Sequence, residues 1–293
     1  MKFKSFGRQL DAAIANGEDL SAQLEDCVEE AMGLHSGEYQ TKKNTYIQSF
    51  PGAGKTFTAE KICKKNKLDP IIFRGATTMY AFAMRLCYEA YWNPAEQIPI
   101  IIDDCDALFT GEEHLNIMKD FFDVTNTFSW AKGVSETMAG VKGNEKMVEA
   151  IQAAKAPGVG MQFSTEKFST LVLSNRVLTS TTDLKTKRVR TTKQTIGEAA
   201  IRSRVQYVST FSNLTDDENW GWLAYIVLNS SHFEDIKKNK FTLTVEQKQE
   251  LLTWMHYNWS GISDPSMRTV GELAGKMKRD PEGYINKWNL MLG

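Results

Sequence analysis

Apolar positions along this chain fall into two alternating rhythms. Short continuous apolar runs of strand length recur at Thr45-Tyr46-Ile47-Gln48, Pro70-Ile71-Ile72-Phe73, Ile98 to Ile102 and Phe168 to Leu173. Continuous rather than alternating hydrophobicity predicts strands covered on both faces. Between the runs lie helix-length stretches with apolar residues at three- and four-residue spacing. One follows Phe57 and ends near Lys67; another runs from about Thr77 to Tyr91, with Met79, Phe82, Ala83, Leu86 and Ala90 on one face and Asn93-Pro94 as its stop. Strand and helix in alternation predict an α/β fold around a parallel sheet. Ahead of it, Leu10, Ile14, Leu20, Leu24 and Val28 recur at helical spacing, with Asn16-Gly17 expected to break the run in two. Beyond Phe211 the pattern is helical and tryptophan-rich. Thr215 with Glu218, and Thr244 with Gln247, have the spacing of capping boxes. Trp220, Trp222, Trp259 and Trp288 recur at helical spacing, which favours core packing over base stacking. These rhythms divide the chain into an N-terminal helical appendage (1–41), an α/β domain (42–212) and a C-terminal helical region (213–293).

The first strand runs into Ser49-Phe50-Pro51-Gly52-Ala53-Gly54-Lys55-Thr56, and a helix leaves it through Phe57. Strand, glycine-rich loop and helix in that order form a phosphate-binding loop. The glycines let backbone N–H groups close around phosphate oxygens, and the helix N-terminus adds the positive end of its dipole. Ser49, Pro51, Gly52, Ala53, Gly54, Lys55, Thr56 and Phe57 are the candidate nucleotide-binding residues. Lys55 would reach the β- and γ-phosphates, and the Thr56 hydroxyl would hold Mg²⁺. Ser49 stands where the full pattern begins with glycine. Further on, the third strand delivers Asp103-Asp104-Cys105-Asp106 at its C-terminal end. Asp103 is the candidate Mg²⁺ ligand, and Asp104 the candidate base for the attacking water. The alternative for these acids is the cap of the next helix.

With the loop, Ile102-Asp103-Asp104-Cys105-Asp106-Ala107-Leu108-Phe109 resembles the Walker B segment of the AAA+ ATPases, which normally carries Asp-Glu. Asp104 is one methylene shorter, which puts the rate of hydrolysis in doubt more than binding. Three further segments resemble that family's pattern. The strand Phe168 to Asn175 is similar to sensor 1, with Asn175 on the attacking water. Ala200-Ile201-Arg202-Ser203-Arg204-Val205 resembles the arginine-finger segment, with Arg204 preferred and Arg202 its rival. Ser266-Met267-Arg268-Thr269-Val270 is similar to sensor 2, with Arg268 opening a lid helix. For each arginine the plain alternative is a surface ion pair. The resemblance implies a P-loop NTPase (AAA+) fold with a five-stranded parallel sheet, helices on both faces and a small all-helical lid. It implies an ATP hydrolase needing ATP and Mg²⁺, with catalytic residues Asp104, Asn175, Arg204 and Arg268, assembled as a ring or spiral of copies. It also implies a segment, 125–167, that faces a central pore and touches a macromolecular substrate, with Met79 or Tyr80 as a second grip unless they serve the core. Gly75-Ala76-Thr77-Thr78 together with the Asp103–Asp106 stretch resembles AAA+ proteins of tailed bacteriophages.

Composition narrows the substrate only in part. Lys and Arg number 35 against 36 Asp and Glu, a net charge of −1, so DNA contact would need a local patch. Lys185-Thr186-Lys187-Arg188-Val189-Arg190-Thr191-Thr192-Lys193 is the candidate patch, or else a solvated loop. A nucleic-acid transaction is the first reading; a protein remodeller or assembly chaperone and a slow, nucleotide-gated structural ATPase are the alternatives. The four cysteines show no CxxC spacing and the four histidines no metal pattern, so reduced thiols and no structural zinc are expected. No apolar run has membrane-spanning length and no secretory leader is seen, so the expected location is the cytoplasm (the host's, if the gene is a phage's).

Overall fold

The computed structural model describes residues 2–33, 44–95, 97–130, 145–156, 160–212, 214–229 and 242–292, with side-chain surroundings from residue 10 onward. By compactness the chain forms two units: Cys27–Ser49 with Ala59–Ser209, and Met1–Asp26 with Phe50–Thr58 and Thr210–Gly293.

The first unit is built on a five-stranded parallel sheet in the order β2-β3-β7-β1-β8. Its strands are β1 (Asn44–Gln48), β2 (Ile71–Arg74), β3 (Ile98–Asp103), β7 (Phe168–Ser174) and β8 (Gln206–Val208). Every residue of β7 is buried, as is all of β3 except Pro99, the burial a sheet covered on both faces imposes. The expected α/β fold is present. Parallel strands require crossovers, and α3 (Met79–Trp92), α4 (Glu112–Phe121) and α7 (Lys193–Arg202) belong to them. Thr78 caps α3 by accepting the Ala81 N–H at 3.1 Å. Phe82 and Leu86 on that helix are fully buried, and the Phe82 ring lies 4.8 Å from that of Phe73 and 5.1 Å from that of Phe121.

Residues 125–167 are more than a connection. They contain β4 (Thr127–Trp130), α5 (Glu145–Ala154), β5 (Lys155–Ala156) and β6 (Gly160–Ser164), the strands forming an antiparallel sheet in the order β4-β6-β5. Asp120 fastens this sheet to α4 by accepting the Ser129 N–H at 2.6 Å. Residues 131–144 and 157–159 of this segment lie outside the described residues. Met79 is buried in the core and Tyr80 stacks edge-on to Trp130 at 6.2 Å, so both side chains serve packing.

The second unit is helical. Its elements include α1 (Lys2–Ala31, which continues into the other unit), α8 (Asp216–Asn229), α9 (Val245–Tyr257), α10 (Met267–Arg279) and α11 (Tyr284–Asn289). Both expected capping boxes form: Thr215 with Glu218, and Thr244 with Gln247. Trp222 and Trp288 are fully buried. The break expected at Asn16-Gly17 does not occur, and α1 runs through it as one helix of 30 residues. Gly17 is there for contact. A Cβ on it would lie 2.2 Å from the Gly221 carbonyl oxygen, and one on Gly221 would lie 2.4 Å from that of Ala13. The helices α1 and α8 meet backbone to backbone, which only glycine allows. No helix of the described residues is long and apolar enough to cross a membrane.

Gly221→Ala should therefore lower the thermal midpoint. Alanine gains about 1 kcal/mol of helix propensity over glycine, but overpacking of a tight contact costs about 1–3 kcal/mol. An unchanged or raised midpoint in a calorimetric scan would refute the close crossing.

Candidate functional site

The phosphate-loop candidate begins where β1 ends. Gly52 and Gly54 have φ of +79° and +77°, left-handed backbone that a side chain would strain. Lys55 opens α2 (Lys55–Lys65), so the N–H groups of Lys55, Thr56 and Phe57 belong to its first turn, where helical amides lack helical acceptors. Lys55 is 7% exposed, and its Nζ donates to the Phe50 carbonyl at 3.5 Å, folding the ammonium back over the loop. A nearly buried cation above left-handed glycines and a helix N-terminus suits an anion. Ser49 is fully buried and Pro51 is exposed. Ala53 is buried beneath the loop.

The same unit brings α10 to this loop. A Cβ on Gly52 would sit 2.7 Å from the Cβ of Ser266, the N-cap of α10, so the loop and the start of that helix touch. Ser266 is fixed in turn: its Oγ donates to Asp264 at 3.1 Å, and Asn219 of α8 donates to the Pro265 carbonyl at 3.2 Å. Ile226 of α8 comes 3.6 Å from the Cβ position of Gly54. Arg268 thus lies in the first turn of a helix that starts against Gly52. It lines a cleft of about 190 Å³ with Asp264 and Glu272.

In the sheet unit, the acids gather at the C-terminal ends of β3 and β7. The two strands pair with Asp103 opposite Leu173. Asp103, 8% exposed, ends β3, with Arg74 Nε 3.5 Å from its Oδ2. Arg74 also pairs with Glu60 at 2.6 Å. Asp104 turns off the strand at φ +50°, a left-handed conformation that aspartate tolerates better than most residues. Its N–H donates to the Leu173 carbonyl at 3.0 Å, and its Oδ1 accepts from Asn175 Nδ2 at 3.3 Å. Beside them Ser174 Oγ donates to Asp106 at 3.0 Å. The structure brings Asp103, Asp104 and Asn175 together at one sheet edge.

It does not bring Arg202 or Arg204 to that edge. Arg204 Nε donates to Asp123 at 3.1 Å and its Nη1 to the Ala200 carbonyl at 2.9 Å. Arg202 donates to the Leu178 carbonyl at 2.8 Å and covers the Tyr207 ring at 4.0 Å. In the basic run, Lys185, Lys187, Arg188 and Arg190 are exposed, while Lys193 pairs with Glu112 at 2.8 Å.

Sequence reasoning missed a buried cluster beside Asn175. Arg176 donates to Glu198 at 2.7 Å and to Thr110 Oγ1 at 2.8 Å, and its carbonyl accepts the Tyr46 hydroxyl at 2.9 Å. Glu198, 5% exposed on α7, also accepts from Gln194 and Thr179 Oγ1, both at 2.7 Å. Burial pushes the Glu198 carboxyl upward, but the donors Gln194, Thr179 and Arg176 outweigh it and hold the carboxyl below its ordinary value. This cluster ties the segment after β7 to α7, whose C-terminal end carries Arg202. A glutamate in an amphipathic helix carries no mark of such a role in the sequence.

Among known proteins, no family model and no curated protein matches this chain. Solved structures similar to it include Hsp104 in a closed state with ATPγS and FITC casein, at TM-score 0.49 and 14% identity over 94% of this chain and 48% of that one. Another is the S. cerevisiae Hsp104:casein complex in its extended conformation, at TM-score 0.46 and 15% identity over 97% of this chain and 46% of that one. The chain thus spans about half the length of these two structures.

The Glu198 cluster makes stability depend on acid. A carboxyl held below its ordinary 4.5 contributes stability that is complete above that pH and is lost as pH falls through its folded value. Glu198→Gln should cost roughly 1–3 kcal/mol at pH 7, the scale of a charged buried hydrogen bond. The deficit against wild type should shrink as the pH is taken well below 4.5. Urea midpoints across that range check this; a deficit constant with pH would show that the carboxylate's charge is not involved.

Proposed function

We propose that this chain is an AAA+-type ATPase that couples ATP binding and hydrolysis to remodelling of a macromolecule. The observation that supports it best is the Asp104–Asn175 pair at the shared edge of β3 and β7, in a chain whose β1 runs into a glycine loop and helix. Backbone amides of Gly52, Ala53 and Gly54, with the first-turn amides of Lys55, Thr56 and Phe57, bind the phosphates, and Lys55 neutralises them. Thr56 and Asp103 are hard oxygen donors of the kind Mg²⁺ takes, and the ion would supply charge neutralisation on the phosphate oxygens. Asp104 accepts the proton of the attacking water, which Asn175 helps to orient. The Asn175 bond and the left-handed backbone fix where this shorter carboxylate points.

Arg268 acts from the start of α10, next to the phosphate loop. Arg204 acts on a neighbouring copy in a ring or spiral, which requires it to leave Asp123. That pair is partly exposed, and pairs of this kind contribute about 0–1 kcal/mol, so release is easy.

For the substrate, the first reading is a nucleic-acid transaction in replication or recombination, supported by the exposed Lys185, Lys187, Arg188 and Arg190. The balanced net charge favours the alternative, a polypeptide. A slow nucleotide-gated switch remains the third form of the same site, set by the length of Asp104. The cytoplasm is where such an enzyme would act, that of the host if a phage encodes it.

Steady-state ATP turnover tests the site. Asp104→Asn should keep ATP binding and lower kcat by about 10²–10⁴-fold, the span of a lost general base. Turnover equal to wild type would remove Asp104 from the mechanism. Stimulation by DNA that salt abolishes supports the nucleic-acid reading; stimulation by unfolded polypeptide alone supports the other.

A further inference from the structure

The strand β6 is paired unequally on its two sides. On one, β4 accompanies it from Met161 to Ser164. On the other, β5 reaches only Gly160 and Met161. The Thr165 N–H donates to the Asn126 carbonyl at 2.8 Å, and the pairing of Phe163 with Phe128 follows in register. Antiparallel ladders alternate, so the backbone groups of Phe163 face β4 while those of Gln162 and Ser164 face the side that β5 has left. Among the described residues no strand lies there.

A cleft of about 650 Å³ lies there instead. Gln162, Phe163 and Ser164 all line it. Consecutive strand residues point to opposite faces of a sheet, so a cavity lined by all three runs along the strand's edge and not over one face. Tyr91 and Gln97 are part of the lining, and the rest of its other wall is small side chains: Cys87 and Ala90 of α3, with Ala150, Ala153 and Ala154 of α5. These leave room beside the edge for an apolar side chain. The cleft holds one cation and one anion, Lys167 and Glu166, and the lysine already donates to the Asn93 carbonyl at 2.7 Å. A phosphodiester backbone finds no excess positive charge there.

We propose that this cleft binds an extended polypeptide, which adds to β6 as an edge strand beside Gln162 and Ser164 and places an apolar side chain against the alanines. Backbone pairing supplies affinity and the alanine wall selects the side chain, the usual division in strand addition. The outward-facing backbone of Gln162 and Ser164 singles out an extended polypeptide as the occupant, and the balance of Lys167 and Glu166 gives a nucleic acid no advantage. The inference rests on the insert and not on ATP chemistry, so it is tested without nucleotide. Its failure would leave the proposed ATPase untouched.

The test is fluorescence anisotropy with a labelled short peptide alternating threonine and valine. Beside it run a twin N-methylated at alternate residues and a labelled oligothymidylate. The peptide should bind the full chain. The N-methylated twin should bind at least about tenfold more weakly, a difference of 1.4 kcal/mol. Ala153→Trp, at an exposed position lining the cleft, should weaken the parent peptide to a similar degree with an unchanged circular dichroism spectrum. The twin needs no altered protein, so the test stands even if the tryptophan variant misfolds. Absence of peptide binding, or equal binding of the twin, would overturn the proposal. So would binding of the oligothymidylate that Ala153→Trp abolishes, or self-association of the chain that the same substitution abolishes, since each gives the cleft a different occupant.

Discussion

The pairing of β3 with β7 is the constraint on which the acidic C-terminal end of the sheet depends. Register places Asp103 beside Leu173. The next residue on β3 must then leave the strand, and the Asp104 N–H takes the Leu173 carbonyl while its carboxylate takes Asn175. Two strands buried along almost their whole length resist a slip, because a slip would draw Asp103 and Asp104 into the apolar interior or push apolar residues out at the strand ends. The positions of Asp104 and Asn175 therefore follow from the hydrophobicity of Ile100, Ile101, Ile102, Leu171, Val172 and Leu173. Polar chemistry at the edge is held by apolar packing behind it.

Around that edge, buried polar groups are satisfied by local partners. Glu198 collects Arg176, Thr179 and Gln194, and Ser174 meets Asp106. Removing one member would strand a buried charge or donor, which is why such networks hold a single geometry. The glycine loop after β1 is shaped differently, by backbone. Gly52 and Gly54 take left-handed turns, and Gly52 admits the start of α10 to a distance no side chain would tolerate.

Much of this was legible in the sequence because its signals are short-range. The loop from Ser49 to Thr56, the acids after Ile102 and the capping boxes at Thr215 and Thr244 each occupy a few consecutive residues. The core strands announced themselves as apolar runs. What escaped depends on distant partners. Gly17 read as a helix breaker because Gly221, the reason for it, lies elsewhere in the chain. β8 is three half-buried residues, Gln206–Val208, with no apolar run to reveal it. The sheet within 125–167 has strands of two to five residues, too short for periodicity to register. Glu198 gave no signal, since its partner Arg176 lies 22 residues before it.

The central claim is a nucleotide site served by Lys55. Calorimetric titration of wild type and Lys55→Ala with ATPγS and Mg²⁺ tests it most directly, because it asks for binding without requiring turnover, a partner or a substrate. The account predicts one nucleotide bound per chain by the wild type and at least about a hundredfold loss of affinity, some 2.7 kcal/mol, in the variant. Absence of binding by the wild type, or undiminished binding by Lys55→Ala, would contradict it.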